Sequence, residues 1–286
     1  MTVPGERPVE PAPATHSRAG RNLPAAIAVA LTLGIGLILL PIYLLPDMFV
    51  VVVALAMLVG VWELCRALAR ADIHPPIVPL LLGAVACAVG ARLNDTEGLL
   101  VAFVLTVLAV FMWRLMEGTQ GYMRDVGAGV FVAAYVPLLA SFAVLMIDSD
   151  QGADRIVVFV VTTICSDVGG YAAGVLFGRH PMAPRISPKK TWEGFAGSVI
   201  ACVLGGSLSV AILLDEAWWK GALLGVLLCI TATLGDLGES MIKRDIGVKD
   251  MGTLLPGHGG LMDRLDSLLP SAPVAWFVLG IIAPVP

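Results

Sequence analysis

Apolar segments of membrane-spanning length recur along almost the whole chain, and they constrain its fold more than any other feature. A hydrocarbon core about 30 Å thick is crossed by roughly 20 apolar residues in a helix. Only 14% of the residues are charged, against about 25% in soluble domains. The sequence therefore predicts an all-α integral membrane protein, a polytopic bundle of about nine transmembrane helices. The candidate spans are residues 24–45, 48–63, 76–91, 98–113, 126–147, 156–177, 194–214, 218–237 and 268–284.

The positions of lysine and arginine predict how this bundle is oriented. Cytoplasmic loops of membrane proteins carry an excess of both residues. With the N-terminus placed inside, all but three of the 18 cations fall on the cytoplasmic side. The exceptions are Arg92, Arg155 and Lys220. An even number of spans would degrade this alternation, so the charges favour nine spans with the N-terminus in and the C-terminus out.

Polar residues divide the chain into three regions. Residues 1–23 are rich in proline and poor in bulky apolar residues, which predicts a disordered cytoplasmic tail. Residues 24–150 are predicted to form an N-terminal transmembrane scaffold, in which charged residues such as Glu63 and Arg114 are interpreted as solvated or snorkelling helix ends. Residues 151–286 are predicted to form a C-terminal transmembrane catalytic region, because polar residues now appear within the spans.

The first polar cluster of that region lies in and after the sixth span. A carboxylate within a span, such as Asp167, costs roughly 2.5–3.5 kcal/mol and normally faces a polar cavity. The following loop reads ISPKKTWEG and offers hydroxyl and ammonium groups that suit phosphate binding. A cytoplasmic loop would contain lysines in any case, so both interpretations remain open, and Glu193 either caps the next helix or joins the site. The candidate phosphate contacts are Ser187, Lys189, Lys190 and Thr191.

A second polar cluster extends the eighth span. In the stretch GDLGESMIKRDIGVKD, residues 235–250, four polar side chains recur at helical spacing and would share one face. A surface helix can show such a stripe by chance. This one grows out of an apolar span, so its first members are predicted to lie at the membrane boundary. The four are Asp236, Glu239, Ser240 and Lys243.

The third cluster is PGHGGLMDRLD, residues 256–266. Asp263 and Asp266 can share a helix face with Arg264 turned aside, and such carboxylate pairs suit Mg²⁺. The glycines allow backbone N–H groups to approach an anion closely. An exposed turn with a helix cap would explain the glycines, but not both aspartates and His258 beside the membrane.

These motifs together resemble the signature of the phosphatidate cytidylyltransferase (CDP-diacylglycerol synthase) family. The SPKKTWEG loop and the upstream stretch around Asp167 are similar to that family as well. The resemblance covers residues 155–285 strongly and the earlier spans only by topology. The signature positions are Ser240, Lys243, Arg244, Lys249, Asp250, Gly252, Leu255, Pro256, His258, Gly259, Gly260, Asp263, Arg264 and Asp266.

The resemblance implies a membrane enzyme that condenses CTP with phosphatidic acid from the inner leaflet, giving CDP-diacylglycerol and pyrophosphate. It implies Mg²⁺ as cofactor and leaves a second cation open. It also implies a homodimer in the cell's inner membrane with the active site facing the cytoplasm. No nucleic-acid partner is expected.

The resemblance also implies roles for individual residues. Asp236 and Asp263 match the family's metal-binding carboxylates. The expected catalytic residues are Asp236, Asp263, Lys243, Arg244, Asp266 and His258. The expected substrate-binding residues are Ser187, Lys189, Lys190, Thr191, Asp167, Ser240, Arg264, Gly259 and Gly260.

Two other functions are compatible with parts of the sequence. A related CTP-dependent lipid or polyprenol kinase would release CDP instead of pyrophosphate. A secondary transporter could use Asp167 for ion coupling, but it would also carry inverted repeats and polar groups reaching the outer face. The polar residues are predicted to lie on one side only, which disfavours transport.

Overall fold

The computed structural model describes residues 40–149, 151–252 and 260–284. The predicted disordered tail, and the predicted first span up to residue 39, lie outside them. The helices are α1 (Leu40–Leu44), α2 (Pro46–Ala69), α3 (Ile77–Met116), α4 (Tyr122–Ala133), a π-helical turn (Ala134–Leu138), α5 (Leu139–Ile147), α6 (Gly152–Phe177), α7 (Trp192–Leu213), α8 (Trp218–Asp245), α9 (Met262–Leu265) and α10 (Leu268–Ile282).

Helices dominate the described residues, and seven of them are long and apolar enough to cross a membrane. The prediction of a helical, polytopic membrane protein is thereby confirmed. The expectation of a purely α-helical chain needs one correction. Between α6 and α7, strand β1 (Pro181–Ala183) pairs antiparallel with strand β2 (Ser187–Thr191).

Helix α3 is a helical hairpin. Its 40 residues are interrupted at Asn94 and Asp95, where Asp95 has a positive φ of 50°. A Cβ atom on Gly90 would lie 2.5 Å from the carbonyl oxygen of Gly98, so the two arms touch through their backbones next to the bend. The arms correspond to the predicted spans 76–91 and 98–113.

Glycines also set the packing in the C-terminal half, where α7 lies against both α6 and α8. A Cβ atom on Gly169 would lie 2.7 Å from the carbonyl oxygen of Gly197, and one on Gly206 would lie 2.5 Å from that of Gly221. Small residues allow such close approach between helices in a bilayer. The three helices therefore form one tight unit, and the polar residues of α6 and α8 face the same region.

The scaffold contains two buried charges that we predicted to be solvated, and that prediction is wrong. Glu63 is 1% exposed and Arg114 is 7% exposed. Arg114 donates to the Asp125 carboxylate at 2.7 Å and to the Gln120 carbonyl at 2.7 Å. A charge at a helix end can be buried when a neighbouring loop supplies hydrogen-bond partners, and helical spacing does not reveal those partners.

The three cations predicted for the opposite side are all engaged at helix ends. Arg92 joins Asp47 at 3.0 Å and Asp148 at 2.7 Å. Arg155 donates to the carbonyl of Ala283 at 2.5 Å, while Lys220 donates to that of Ile282 at 2.6 Å. The last two bonds satisfy carbonyl groups at the C-terminal end of α10, which would otherwise lack helical partners. These contacts join the ends of neighbouring helices on one side of the bundle.

Candidate active site

A cavity of about 430 Å³ lies where α6, the β-hairpin, α7 and α8 meet the segment leading into α10. It combines acidic, basic and hydroxyl side chains, whereas the larger groove along the α3 hairpin has no lysine or arginine among its described lining residues. The charged residues that line the cavity are Asp167, Lys189, Lys190, Asp236, Asp263, Arg264 and Asp266.

A glycine on α8 brings the acidic residues of two helices together. A Cβ atom on Gly235 would collide with the carbonyl oxygen of Asp266 and would lie 2.9 Å from Cγ of Pro270. Because Gly235 has no side chain, α8 can lie directly against the start of α10. Asp236, the next residue on α8, then lines the same cavity as Asp266.

The β-hairpin supplies the basic side of the cavity. Lys190 forms an ion pair with Asp236, with 2.6 Å between Nζ and Oδ2. Thr191 ends the hairpin and accepts a hydrogen bond from the Gly194 amide at 3.1 Å, which caps α7. Glu193 accepts from the backbone amide of His180 at 3.2 Å and is not among the cavity-lining residues. It therefore fixes the hairpin to α7 instead of joining the site.

Asp263 accepts hydrogen bonds from one side chain and two backbone amides of the described residues. Its oxygens accept from Lys243 Nζ at 2.9 Å, from the Gly260 amide at 2.8 Å and from the Met251 amide at 3.1 Å. Its side chain is only 9% exposed. Lys243 also donates to Glu239 at 3.1 Å, so one ammonium group lies between two carboxylates.

The structure brings most of the predicted site residues together. Ser240, Lys243 and Gly260 do not line the cavity but contact residues that do. Ser240 lies 3.5 Å from Asp236, and Lys243 and Gly260 donate hydrogen bonds to Asp263. The predicted residues that line the cavity are Asp167, Lys189, Lys190, Thr191, Asp236, Asp263, Arg264 and Asp266.

Four predicted residues are placed differently or are not described. Ser187 and Arg244 are not among the lining residues. Arg244 Nε donates to the Ile186 carbonyl at 3.5 Å and ties α8 to the hairpin. His258 and Gly259 lie outside the described residues, so their roles stay predictions.

Two buried carboxylates beside the site were missed. Glu239 belongs to the predicted stripe on α8 but was assigned no role; it is 0% exposed. Glu63 of α2 accepts a hydrogen bond from the Met262 amide at 2.9 Å. The sequence did contain a signal for Glu63, because it lies at the end of an apolar run. A carboxylate is costly to bury there without partners, so such a residue is a candidate for a specific role.

The donor chemistry of the cavity fits the predicted Mg²⁺. Among the described residues, no group of three or more His, Cys, Asp or Glu side chains is arranged to hold a metal by itself. Mg²⁺ commonly uses one or two carboxylates and completes its shell with waters and substrate phosphates. Asp236 and Asp263 are two such oxygen donors lining one cavity, and the lining contains no cysteine or histidine. The metal assignment remains a prediction.

Comparison with known proteins shows which family this sequence belongs to. The model of the Cytidylyltransferase family matches residues 25–282. A phosphatidate cytidylyltransferase of Mycobacterium leprae is 45% identical over 98% of this chain and 95% of its own length. Its counterpart in Mycobacterium tuberculosis strain H37Rv is 45% identical over 98% and 90%, and that of Brucella suis is 37% identical over 66% of both. This chain therefore belongs to the cytidylyltransferase family.

Proposed function

We propose that this enzyme condenses CTP with phosphatidic acid to give CDP-diacylglycerol and pyrophosphate, as the names of its relatives indicate. The observation that carries the proposal is the composition of the cavity. Lysines of the β-hairpin and aspartates of α6, α8 and α9 line one space next to membrane-spanning helices. A site for a nucleoside triphosphate and a phospholipid must bind two polyanions at the edge of a bilayer.

The reaction requires little proton chemistry from the protein. An oxygen of the lipid phosphate forms a bond to the α-phosphorus of CTP, and the bond from that phosphorus to the bridging oxygen of the β-phosphate breaks. Pyrophosphate leaves with the bonding electrons. Because a phosphate monoester is already anionic at pH 7, no strong general base is needed. Such transfers depend mainly on positioning and charge neutralisation.

The residues of the cavity are suited to those two tasks. Lys190 is partly exposed and paired with Asp236, so it can exchange the carboxylate for a substrate phosphate. Lys189 and Arg264 line the same space and add positive charge near the transferred group. Asp236 and Asp263 would hold Mg²⁺, which when bound supplies charge neutralisation at the phosphate oxygens.

We further propose nine spans with the N-terminus in and the C-terminus out, in a homodimer of the inner membrane. The two arms of α3 are separate helices, which agrees with two of the predicted spans. The residues of the cavity lie toward the C-terminal ends of α6 and α8, while Arg155 and Lys220 lie at the opposite ends of those helices. The cavity would thus face the cytoplasm, where CTP is found. Protease accessibility of N- and C-terminal tags in oriented vesicles tests the topology.

Product analysis tests the reaction. Detergent-purified protein is incubated with labelled CTP, phosphatidic acid and Mg²⁺, and both the lipid and the soluble products are separated. We expect CDP-lipid and pyrophosphate in equal amounts, and neither without phosphatidic acid. Release of CDP with no CDP-lipid would refute the proposal and support the kinase.

A further inference from the structure

The backbone around Asp263 rests on a carboxylate from the N-terminal half of the chain. Glu63 of α2 is 1% exposed, and its Oε2 accepts the amide N–H of Met262 at 2.9 Å, across 199 residues of sequence. Met262 itself is fully buried, and its sulfur would lie 3.0 Å from a Cβ atom on Gly60. Helix α2 therefore fixes the residue that immediately precedes Asp263.

Two glycines of the signature lie directly on the same carboxylate. A Cβ atom on Gly252 would collide with Oε1 of Glu63, and one on Gly260 would lie 2.6 Å from Oε2. The latter would also lie 2.7 Å from the Gly252 nitrogen. Only residues without a side chain can bring both backbone segments this close to Glu63. This packing explains why glycine is needed at these two signature positions, which the spacing of the motif alone did not explain.

Glu63 and Asp263 hold the same stretch of backbone from two sides. Asp263 accepts the amides of Met251 and Gly260, while Glu63 accepts that of Met262. The Asp263 carboxylate can keep its orientation toward the cavity only if the backbone on which it sits is itself held. Because Oε1 of Glu63 has no hydrogen-bond partner among the described residues, its burial is costly and calls for a compensating role.

We propose that Glu63 is a positioning residue for the transfer reaction: it sets the backbone from which Asp263 reaches the cavity. The inference rests on the proposed function, because it assumes that Asp263 acts on the nucleotide and its metal. Glu63 would contact neither substrate. It is expected to control the use of CTP and Mg²⁺ and to leave phosphatidic acid binding unaffected.

The test compares Glu63→Met with Glu63→Gln in the full-length purified protein. Methionine keeps the approximate volume but removes the acceptor for the Met262 amide, whereas glutamine keeps one carbonyl oxygen for it. Asp125→Asn is the control for altering a buried carboxylate elsewhere in the protein, because Asp125 is also 1% exposed and accepts a backbone amide, that of His74 at 3.0 Å, besides its bond from Arg114.

We expect Glu63→Met to lower kcat/KM for CTP by about a hundredfold, since a displacement of about 1 Å in a catalytic group has that effect. The Mg²⁺ concentration for half-maximal rate should rise, and the KM for phosphatidic acid should not change. Glu63→Gln should recover most of the loss, and Asp125→Asn should show no selective effect on CTP. Hydrogen exchange measured without substrates should accelerate at residues 260–265 in Glu63→Met only.

Several kinetic results would overturn the inference: wild-type CTP kinetics in Glu63→Met, equal loss in Glu63→Gln and Glu63→Met, or the same CTP-selective loss in Asp125→Asn. A fall in folded protein, with wild-type KM values and exchange in the folded fraction, would also overturn it by showing a purely structural role. A failure of the proposed function looks different, because the wild-type enzyme would then give no CDP-lipid. Hydrogen exchange at residues 260–265 would still report whether Glu63 holds that backbone.

Discussion

Replacing Asp263 by asparagine tests the centre of the site, because the exchange keeps the shape and alters the charge and the hydrogen bonding. The carboxylate accepts from Lys243, Gly260 and Met251 at 2.9, 2.8 and 3.1 Å. Asparagine has only one acceptor oxygen, and its amide nitrogen is a donor. In one orientation that nitrogen faces the two backbone amides, and in the other it faces the ammonium group of Lys243.

The second orientation costs less, since it sacrifices one bond and Lys243 retains Glu239 at 3.1 Å. A hydrogen bond to a charged group contributes about 1.5–3 kcal/mol, so we expect the free energy of unfolding to fall by about 2 kcal/mol. The protein should therefore still fold and insert. Because Asp263 is proposed to hold Mg²⁺, its replacement should lower kcat by at least about a thousandfold, which corresponds to about 4 kcal/mol on the barrier.

The assay measures CDP-lipid formation over a range of Mg²⁺ concentrations, together with thermal unfolding in detergent. Asp148→Asn is the matched control, because Asp148 also pairs with a cation, Arg92 at 2.7 Å, but lies at the other end of the bundle. We expect the control to lose some stability and to keep its activity. Near-wild-type activity of Asp263→Asn with unchanged Mg²⁺ dependence would refute the role assigned to Asp263.

Three further substitutions separate substrate binding from structure. Lys190→Met removes the partner of Asp236 and should raise the KM for CTP about tenfold, equivalent to about 1.4 kcal/mol. Initial rates over a series of CTP concentrations measure this KM, and an unchanged value would contradict a phosphate contact. Gly235→Ala places a methyl group against the carbonyl oxygen of Asp266 and should lower the free energy of unfolding by about 1–3 kcal/mol, with a loss of kcat. A wild-type Tm and a wild-type kcat would argue against close packing between Gly235 and Asp266. Arg155→Met removes the bond to the Ala283 carbonyl and should lower Tm without altering either KM. A changed KM would link the Arg155 end of the bundle to the site.

The spans could be predicted from sequence because the requirement is one of length and apolarity alone. Predicted spans 194–214 and 218–237 correspond to helices Trp192–Leu213 and Trp218–Asp245. The second continues two turns beyond its apolar part, as the polar stripe on α8 suggested. The β-hairpin could not be predicted in this way. SPKKT has no alternation of apolar and polar residues, and the strand exists because it pairs with Pro181–Ala183.

The site could be predicted as a set of residues but not as a set of contacts. Helical spacing places Asp236 and Lys243 on one face of α8, and the charge bias predicts that this end of the helix lies on the cytoplasmic side. Helical spacing does not show that Lys190 pairs with Asp236 and that Lys243 pairs with Asp263. Contacts between distant segments depend on tertiary packing, and for this reason Glu63 was misinterpreted as solvated.

Those contacts separate two lysines that the sequence treats alike. Lys190 lies on the hairpin, lines the cavity and pairs with one carboxylate among the described residues, so an arriving phosphate can replace that partner at little cost. Lys243 lies outside the lining between Glu239 and Asp263, and removing it from them would leave two buried carboxylates without their cation. Lys190 is thus suited to follow the substrate, and Lys243 to stay in place and orient Asp263. The two lysines therefore have different roles in the proposed reaction, although both belong to the basic residues that the sequence analysis grouped together.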